Sequence, residues 1–147
     1  MKFEGEYLKG QRNGKGIEYF LFNGKIKAEG EYLNGRKHGK IKEYYSDGEL
    51  EFEGEYLNGK RNGKFKEYHK DGKLRKEGEY LNDKYNGKLN IYDKEGNLEH
   101  EQEYKEGKKN GKFKEYNYEE DLILEEEYLN GDLIEKKNIF IKEMEEA

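Results

Sequence analysis

The chain has 147 residues, of which 31% are hydrophobic and 43% are charged, whereas an ordinary globular domain has roughly 45–50% and about 25%. This length allows one domain, and so little apolar material disfavours a three-layer, enzyme-like core. The absence of cysteine excludes disulfides and thiolate metal sites, and the net charge of −5 argues against a general nucleic-acid binder.

Tyrosine recurs at fixed intervals, which indicates an internal repeat of 24 or 25 residues. One series consists of Tyr7, Tyr32, Tyr56, Tyr80, Tyr104 and Tyr128, and a second of Tyr19, Tyr44, Tyr68, Tyr92 and Tyr116. Five units and a degenerate sixth are predicted to form a repeat array over residues 1–131. Residues 132–147 lose the loop pattern and are predicted to cap the array, as a strand or as a short helix.

Each unit contains two runs rich in tyrosine, phenylalanine and charged residues between glycine turns, which predicts a β-hairpin. The dipeptides Asp47-Gly48 and Asp71-Gly72 are favoured in two-residue type I′ turns. Counting back from Asp71-Gly72 sets Phe65 opposite Gly78 and lysines opposite glutamates. A large side chain would then cover the backbone that the glycine leaves bare.

The second connection, residues 58–63, is longer and its turn type is left open. Centring it on Lys60-Arg61 sets Tyr56 opposite Phe65 and Glu55 opposite Lys66, which matches opposite charges. Because side chains alternate along a strand, this register predicts one aromatic face and one face of interleaved lysine and glutamate.

The aromatic face is a candidate partner-binding surface, since a single layer leaves it without a second sheet and exposed apolar patches usually mark contacts. Tight packing of tyrosine over glycine within the layer is the alternative. The candidate residues are Tyr32, Tyr56, Tyr80, Tyr104, Phe65 and Phe113, with Ile41 and Leu89 on the same face.

The long connections should bring cations to one edge of the sheet, at a spacing comparable with the Debye length. This basic edge is a candidate site for acidic protein segments or lipid headgroups, and solubility is the alternative. Its candidate residues are Arg36, Lys37, Lys60, Arg61, Lys84, Lys108 and Lys109, with Arg12 in the first unit.

We expect no catalytic, metal or cofactor site. The glutamates that suggest a carboxylate pair, such as Glu55 and Glu79, are one repeat position copied from unit to unit. A flat single layer also lacks the apolar pocket that raises the pKa of a general acid. His38, His69 and His100 fall at different positions of different units and do not converge.

The stretch FEGEYLKGQRNGKG, residues 3–16, resembles the MORN repeat, with an aromatic residue, a glycine, an aromatic residue, NG and a closing GxG. Later units replace the last glycine by Ile41, Phe65, Leu89 or Phe113, which is similar to a bacterial-type, antitoxin-like variant. The resemblance implies an all-β, elongated, single-layer antiparallel meander that serves as a scaffold, sometimes at membranes through acidic lipid. It implies no catalytic residues.

The predicted function is therefore a non-catalytic scaffold that binds another protein, of which a toxin-like neighbour is one kind. The alternative is a peripheral membrane adaptor that binds acidic phospholipid through the basic edge. A homodimer formed through two aromatic faces stays open, and a cytoplasmic location is expected. Asp83, Gln102, Glu120 and Glu126 replace repeat glycines, so the C-terminal units should be less regular.

Overall fold

The computed structural model describes residues 2–139, which form one antiparallel β-sheet. The strands are β1 (Lys2–Leu8), β2 (Gln11–Tyr19), β3 (Ile26–Leu33), β4 (Arg36–Tyr44), β5 (Leu50–Leu57), β6 (Lys60–Tyr68), β7 (Leu74–Leu81), β8 (Lys84–Tyr85), β9 (Gly87–Tyr92), β10 (Leu98–Lys105), β11 (Lys108–Lys109), β12 (Gly111–Tyr116), β13 (Leu122–Leu129) and β14 (Asp132–Asn138).

Neighbouring strands in the sheet are consecutive in the chain, so the topology is an uninterrupted meander. Strands β8 and β9 together occupy the place that β6 occupies one unit earlier, and β11 and β12 do the same in the next unit. The all-β, single-layer fold with two strand positions per unit is therefore confirmed. The breaks before β9 and β12 make these later units less regular than the first three.

The long connection turns at Asn58-Gly59, where both residues have positive φ, 49° and 84°. This is a two-residue type I′ turn, and the pair Leu57–Lys60 closes it. The register centred on Lys60-Arg61 was wrong, because beyond the turn Phe65 pairs with Gly54 and not with Tyr56. The two registers differ by two residues, so the division into two faces survives.

A bulge in β6 separates the pairing next to the turn from the pairing that begins at Phe65 and Gly54. Residues 62–64 of β6 lie across from Glu55 alone, and Gly63 adopts a φ of 116° that disfavours any side chain. The Glu55 carboxylate occupies the space that a Cβ on Gly63 would need. Glu55 pairs with Lys40 as predicted, whereas the predicted partner Lys66 pairs with Glu53.

The connections at the other edge of the sheet were predicted as two-residue turns at Asp47-Gly48 and Asp71-Gly72. Each is one residue longer than predicted. The amide of Gly72 donates to the His69 carbonyl at 2.9 Å and the amide of His69 to the Lys73 carbonyl at 2.8 Å, which leaves residues 70–72 as a three-residue loop. Gly72 has positive φ and Asp71 does not. A bulge at Arg75 removes the extra residue from the pairing, so Phe65 still faces Gly78 as predicted.

The core is a row of large side chains that alternate with glycine across the strands. Ile41 lies between Gly30 and Gly54, and Phe65 lies between Gly54 and Gly78. Phe52 is buried beside Phe65, with stacked rings 6.0 Å apart. Close approach of bare backbone thus lets one layer bury large side chains without a second sheet.

Strand β14 continues the sheet beyond residue 131, so the start of the predicted cap is a strand and not a helix. All of its residues are exposed. The remaining cap residues, 140–147, lie outside the described residues.

Candidate binding surfaces

The structure divides the predicted aromatic site into buried and partly exposed residues. Tyr32, Phe65 and Phe113 have relative exposures of only 3%, 4% and 7%, so they pack within the layer. Tyr56, Tyr80 and Tyr104 pack against the core cluster but keep part of their surface open to solvent.

Ring contacts connect these residues from one unit to the next. The Phe65 ring lies 4.4 Å from that of Tyr80, and the Tyr104 ring lies 5.3 Å from both Tyr85 and Phe113. Such edge and tilted pairs add stabilisation beyond the area they bury. The partly exposed tyrosines are therefore held in fixed positions.

Half of the eight predicted edge cations belong to this aromatic face, namely Arg12, Lys37, Arg61 and Lys109. The Arg61 guanidinium lies 3.9 Å from the centre of the Phe52 ring, and the Lys37 ammonium lies 5.4 Å from that of Tyr56. Lys109 lies 4.8 Å from the centre of the Tyr128 ring. These distances are in the range of cation–π contacts, so the two predicted surfaces merge here.

Arg61 is also tied to carboxylates on the same face. Its guanidinium lies 3.6 Å from Glu43 and 3.4 Å from Glu67, and it donates to the Tyr80 hydroxyl at 3.3 Å. Burial is the main reason that the pKa of Tyr80 rises to about 12 from its ordinary 10.0. Tyr80 is therefore neutral at physiological pH and can accept this bond.

In the fourth unit an apolar pair replaces the ion pair of Arg61 and Glu67. Tyr85 stands where Arg61 stands one unit earlier, and Ile91 stands in place of Glu67. Both pack against the core cluster. Sequence reasoning missed Arg61 as an aromatic-face residue, although this joint exchange of cation and carboxylate is visible in the repeat.

The other half of the basic edge is solvated. Arg36, Lys60, Lys84 and Lys108 are exposed, and each is the first strand residue after its turn. The stem of Arg36 packs over Gly59 and that of Lys84 over Gly107, at distances of 3.2 to 3.7 Å from an added Cβ. This solvated half is hereafter the outer edge.

Hydrogen bonds tie each turn at this edge to the preceding unit. The amide of Asn82 donates to the Asn62 side-chain oxygen at 3.1 Å, and the amide of Asn130 donates to that of Asn110 at 3.0 Å. In the second unit His38 takes the place of this asparagine and its Nδ1 accepts from Asn58 at 3.4 Å. His38 thus has a structural contact at the position of a repeat asparagine.

The face opposite the aromatic one carries Lys64, Lys66, Glu77, Glu79 and the second tyrosine series, as predicted. Tyr68 donates its hydroxyl to Glu53 at 2.5 Å, and Tyr92 donates to Glu77 at 3.0 Å. Tyr19, Tyr44 and Tyr116 make the equivalent bond to Glu4, Glu29 and Glu101. These tyrosines therefore lock one row of carboxylates in place.

Two negative findings concern the described part of the chain. Residues 2–139 contain no group of three or more histidine, cysteine or acidic side chains arranged to hold a metal ion. Over the same residues no helix is long and apolar enough to cross a membrane.

Comparison with known protein families identifies the repeat. A family described as MORN repeat variant matches residues 37–58 and 61–82, which span β4–β5 and β6–β7. A family described as MORN repeat matches residues 3–20 and 77–88. A search of curated proteins finds no match. MORN repeats are commonly binding modules and generally have no enzymatic activity. The matched segments, each within the hairpin meander, are therefore identified as MORN repeats.

Proposed function

We propose that the chain is a non-catalytic module that binds another protein through the aromatic face. The observation that carries this proposal is the row formed by Tyr56, Tyr80 and Tyr104. These partly exposed rings recur at the same place in successive units. Lys37 lies over the Tyr56 ring, and Arg61 lies over the neighbouring Phe52 ring. Tyrosine and arginine held on a rigid surface are the residues that most often dominate protein interfaces.

The repeated glutamates support a non-catalytic role. The carboxylates of Glu55 and Glu103 fill the space above Gly63 and Gly111, where the bulge requires a glycine. That of Glu6 accepts the amide of Lys15 at 2.9 Å. Because this glutamate packs at each bulge, its recurrence through the array is explained by structure and requires no catalytic role.

A second candidate function is binding of acidic phospholipid through the outer edge. The observation in its favour is that Arg36, Lys60, Lys84 and Lys108 are exposed and lie along one side of the sheet. An array of this kind attracts anionic headgroups by about 1 kcal/mol per cation near the surface. This function would make the protein a peripheral membrane adaptor.

The test is to isolate a partner from native extract, purify it, and measure its affinity for variants of the two surfaces. We expect Tyr104→Ser to weaken binding by about tenfold or more and double charge reversal at Arg36 and Lys60 to change it by less than about twofold. Each variant must first show the wild-type β circular dichroism spectrum and melting temperature.

The opposite pattern would move the function to the outer edge. Loss of binding on charge reversal, together with salt-sensitive binding to phosphatidylserine vesicles, would support the lipid candidate and refute the aromatic one. A partner that proves to be a second copy of the chain would instead support a homodimer through the aromatic faces.

A further inference from the structure

A groove crosses the strands on the lysine and glutamate face. It extends over β2 to β6 and has a volume of about 670 Å³. Its floor is the backbone of residues whose side chains, where present, point to the aromatic face, such as Gly54 and Phe65. We call it the lysine groove after its walls, which carry Lys15, Lys40 and Lys64 on one side and Lys42 and Lys66 on the other.

The walls also carry four glutamates, Glu29, Glu31, Glu53 and Glu55, whose carboxylates are engaged outside the groove. Glu55 lies over Gly63, and Glu53 accepts the hydroxyl of Tyr68. Along β6, Gly63 and Tyr68 lie on either side of the floor position Phe65. Both carboxylates are therefore drawn away from the floor, in opposite directions.

The lysines of the walls have no such partners. Within residues 2–139, none of these five ammonium groups is in an ion pair at 4.0 Å or less. All five lysines are exposed. In contrast Lys112, which occupies the Lys64 position two units later, forms an ion pair with Glu125 at 3.3 Å. The groove thus offers five lysines without an ion-pair partner in the described part of the chain, against four glutamates that are turned away from it, although the whole protein is acidic.

The lysines on each wall recur on every second strand. Strands lie about 4.8 Å apart, so equivalent lysines repeat at about 9.6 Å across the sheet. A polyproline II helix has three residues per turn and a pitch of about 9.3 Å. An extended β-strand places side chains on one face at about 6.8 Å, which does not match. An α-helix about 10 Å wide is too broad for walls two residues apart.

We propose that the lysine groove binds an acidic peptide segment in the polyproline II conformation, with a small apolar residue at every third position. The apolar edge of this three-sided helix would rest on the glycine-rich floor. Its two other edges would present carboxylates to the lysines of the two walls. This site lies on the face opposite the proposed aromatic surface, so it goes beyond the proposed function and does not depend on it.

The probe is a fluorescent peptide of four Glu-Glu-Pro repeats, measured by anisotropy with the full chain at about 50 mM salt. The control peptide has the same composition but places its prolines at intervals of two and four residues. We expect the periodic peptide to bind at least about tenfold more tightly than the control peptide. Double charge reversal at Lys40 and Lys64 should weaken binding of the periodic peptide by at least about tenfold.

Lys112→Glu is the matched variant, because it makes the same kind of change at the equivalent wall position outside the groove. We expect it to change the affinity by less than about twofold. Equal binding of the two peptides, an equal loss in Lys112→Glu, or no binding of the periodic peptide would each overturn the proposal.

The result can be read apart from the proposed function. Tyr104→Ser alters the aromatic face and leaves the groove intact, so this variant should bind the periodic peptide normally. If the peptide fails while a purified partner still depends on Tyr104, the groove proposal falls and the proposed function stands. If the peptide binds as expected while no partner depends on Tyr104, the proposed function falls instead.

Discussion

Replacing Gly54 by alanine tests how this single layer builds its core. Gly54 has no positive φ, so alanine adds no backbone strain at this position. A Cβ placed there would lie 2.8 Å from the Phe52 ring, 2.9 Å from the Phe65 Cβ and 3.1 Å from the Lys64 carbonyl oxygen. Paired residues in ordinary sheets keep their Cβ atoms about 4.5–5.5 Å apart. The strands here are too close to admit a second Cβ.

The expected size of the effect follows from two opposing contributions. Overpacking a core by one carbon costs about 1–3 kcal/mol, and alanine recovers about 0.4–1 kcal/mol by restricting the unfolded chain. We therefore expect Gly54→Ala to lower the free energy of unfolding by about 1–2 kcal/mol. Gly72→Ala provides the comparison, because Gly72 has open space around it but a φ of 89°. It measures backbone strain without a clash.

A double-mutant cycle with Phe65→Ala tests whether the Phe65 ring, or the Cβ and backbone of β6, prevents a side chain at position 54. That substitution alone should cost about 3–5 kcal/mol, because it removes a buried ring. It leaves the Cβ at position 65 and the Lys64 carbonyl in place, so we expect a coupling energy below about 0.5 kcal/mol. Urea unfolding followed by circular dichroism and by tyrosine fluorescence gives the free energies. A neutral Gly54→Ala, or a coupling above about 1 kcal/mol, would refute close backbone approach as the reason for the glycine.

Three further predictions concern hydrogen bonds and charge. Tyr68→Phe removes the bond to Glu53 and should lower the free energy of urea unfolding by about 0.5–1.5 kcal/mol; no change would show that the bond contributes nothing. Burial and a bond to a neighbouring glutamate raise the pKa of Tyr68 and Tyr116 to about 12 from 10.0. Because the folded state favours the neutral phenol, the contribution of these two tyrosines to the free energy of unfolding is complete below pH 10 and should be lost as pH rises from 10 to 12. Melting curves at a series of pH values test this. Arg61→Ala leaves carboxylates unpaired and should cost about 2–3 kcal/mol in urea unfolding, whereas exposed Lys60→Ala should stay within about 0.5 kcal/mol; equal effects would contradict the aromatic-face position of Arg61.

The fold could be predicted because the repeat shows where the chain turns and opposite charges align across strands. The pairing of Phe65 with Gly78 was also correct, because the bulge at Arg75 offsets the extra loop residue. The register near Asn58-Gly59 could not be obtained in the same way. Glutamates occur at both 53 and 55, so a shift of two residues still places a glutamate opposite Lys66. Charge matching cannot separate such registers. The positive φ that Gly63 requires was the missing constraint.

The candidate surfaces were harder to predict for a different reason. Phe52 is a core residue, and Phe3 stands at this position in the first unit, but the other equivalent positions hold Ala28, Lys76, His100 and Leu124. A position that changes its chemistry between units gives no periodic signal. The contact of Arg61 with the Phe52 ring depends on the same variable position, so the sequence placed Arg61 at the edge and not on the aromatic face.

The bonds between turns give the stack a direction. In these bonds a turn amide donates to an asparagine side chain of the preceding unit, as Asn82 donates to Asn62 and Asn130 to Asn110. At the last strand of residues 2–139, Ile134 stands at the asparagine position, exposed and without a side-chain acceptor. A hairpin that joined β14 from another copy would therefore find its turn unsupported. Duplication of an internal unit would preserve this bond at each new junction, whereas Ile134 cannot provide it to a hairpin added beside β14.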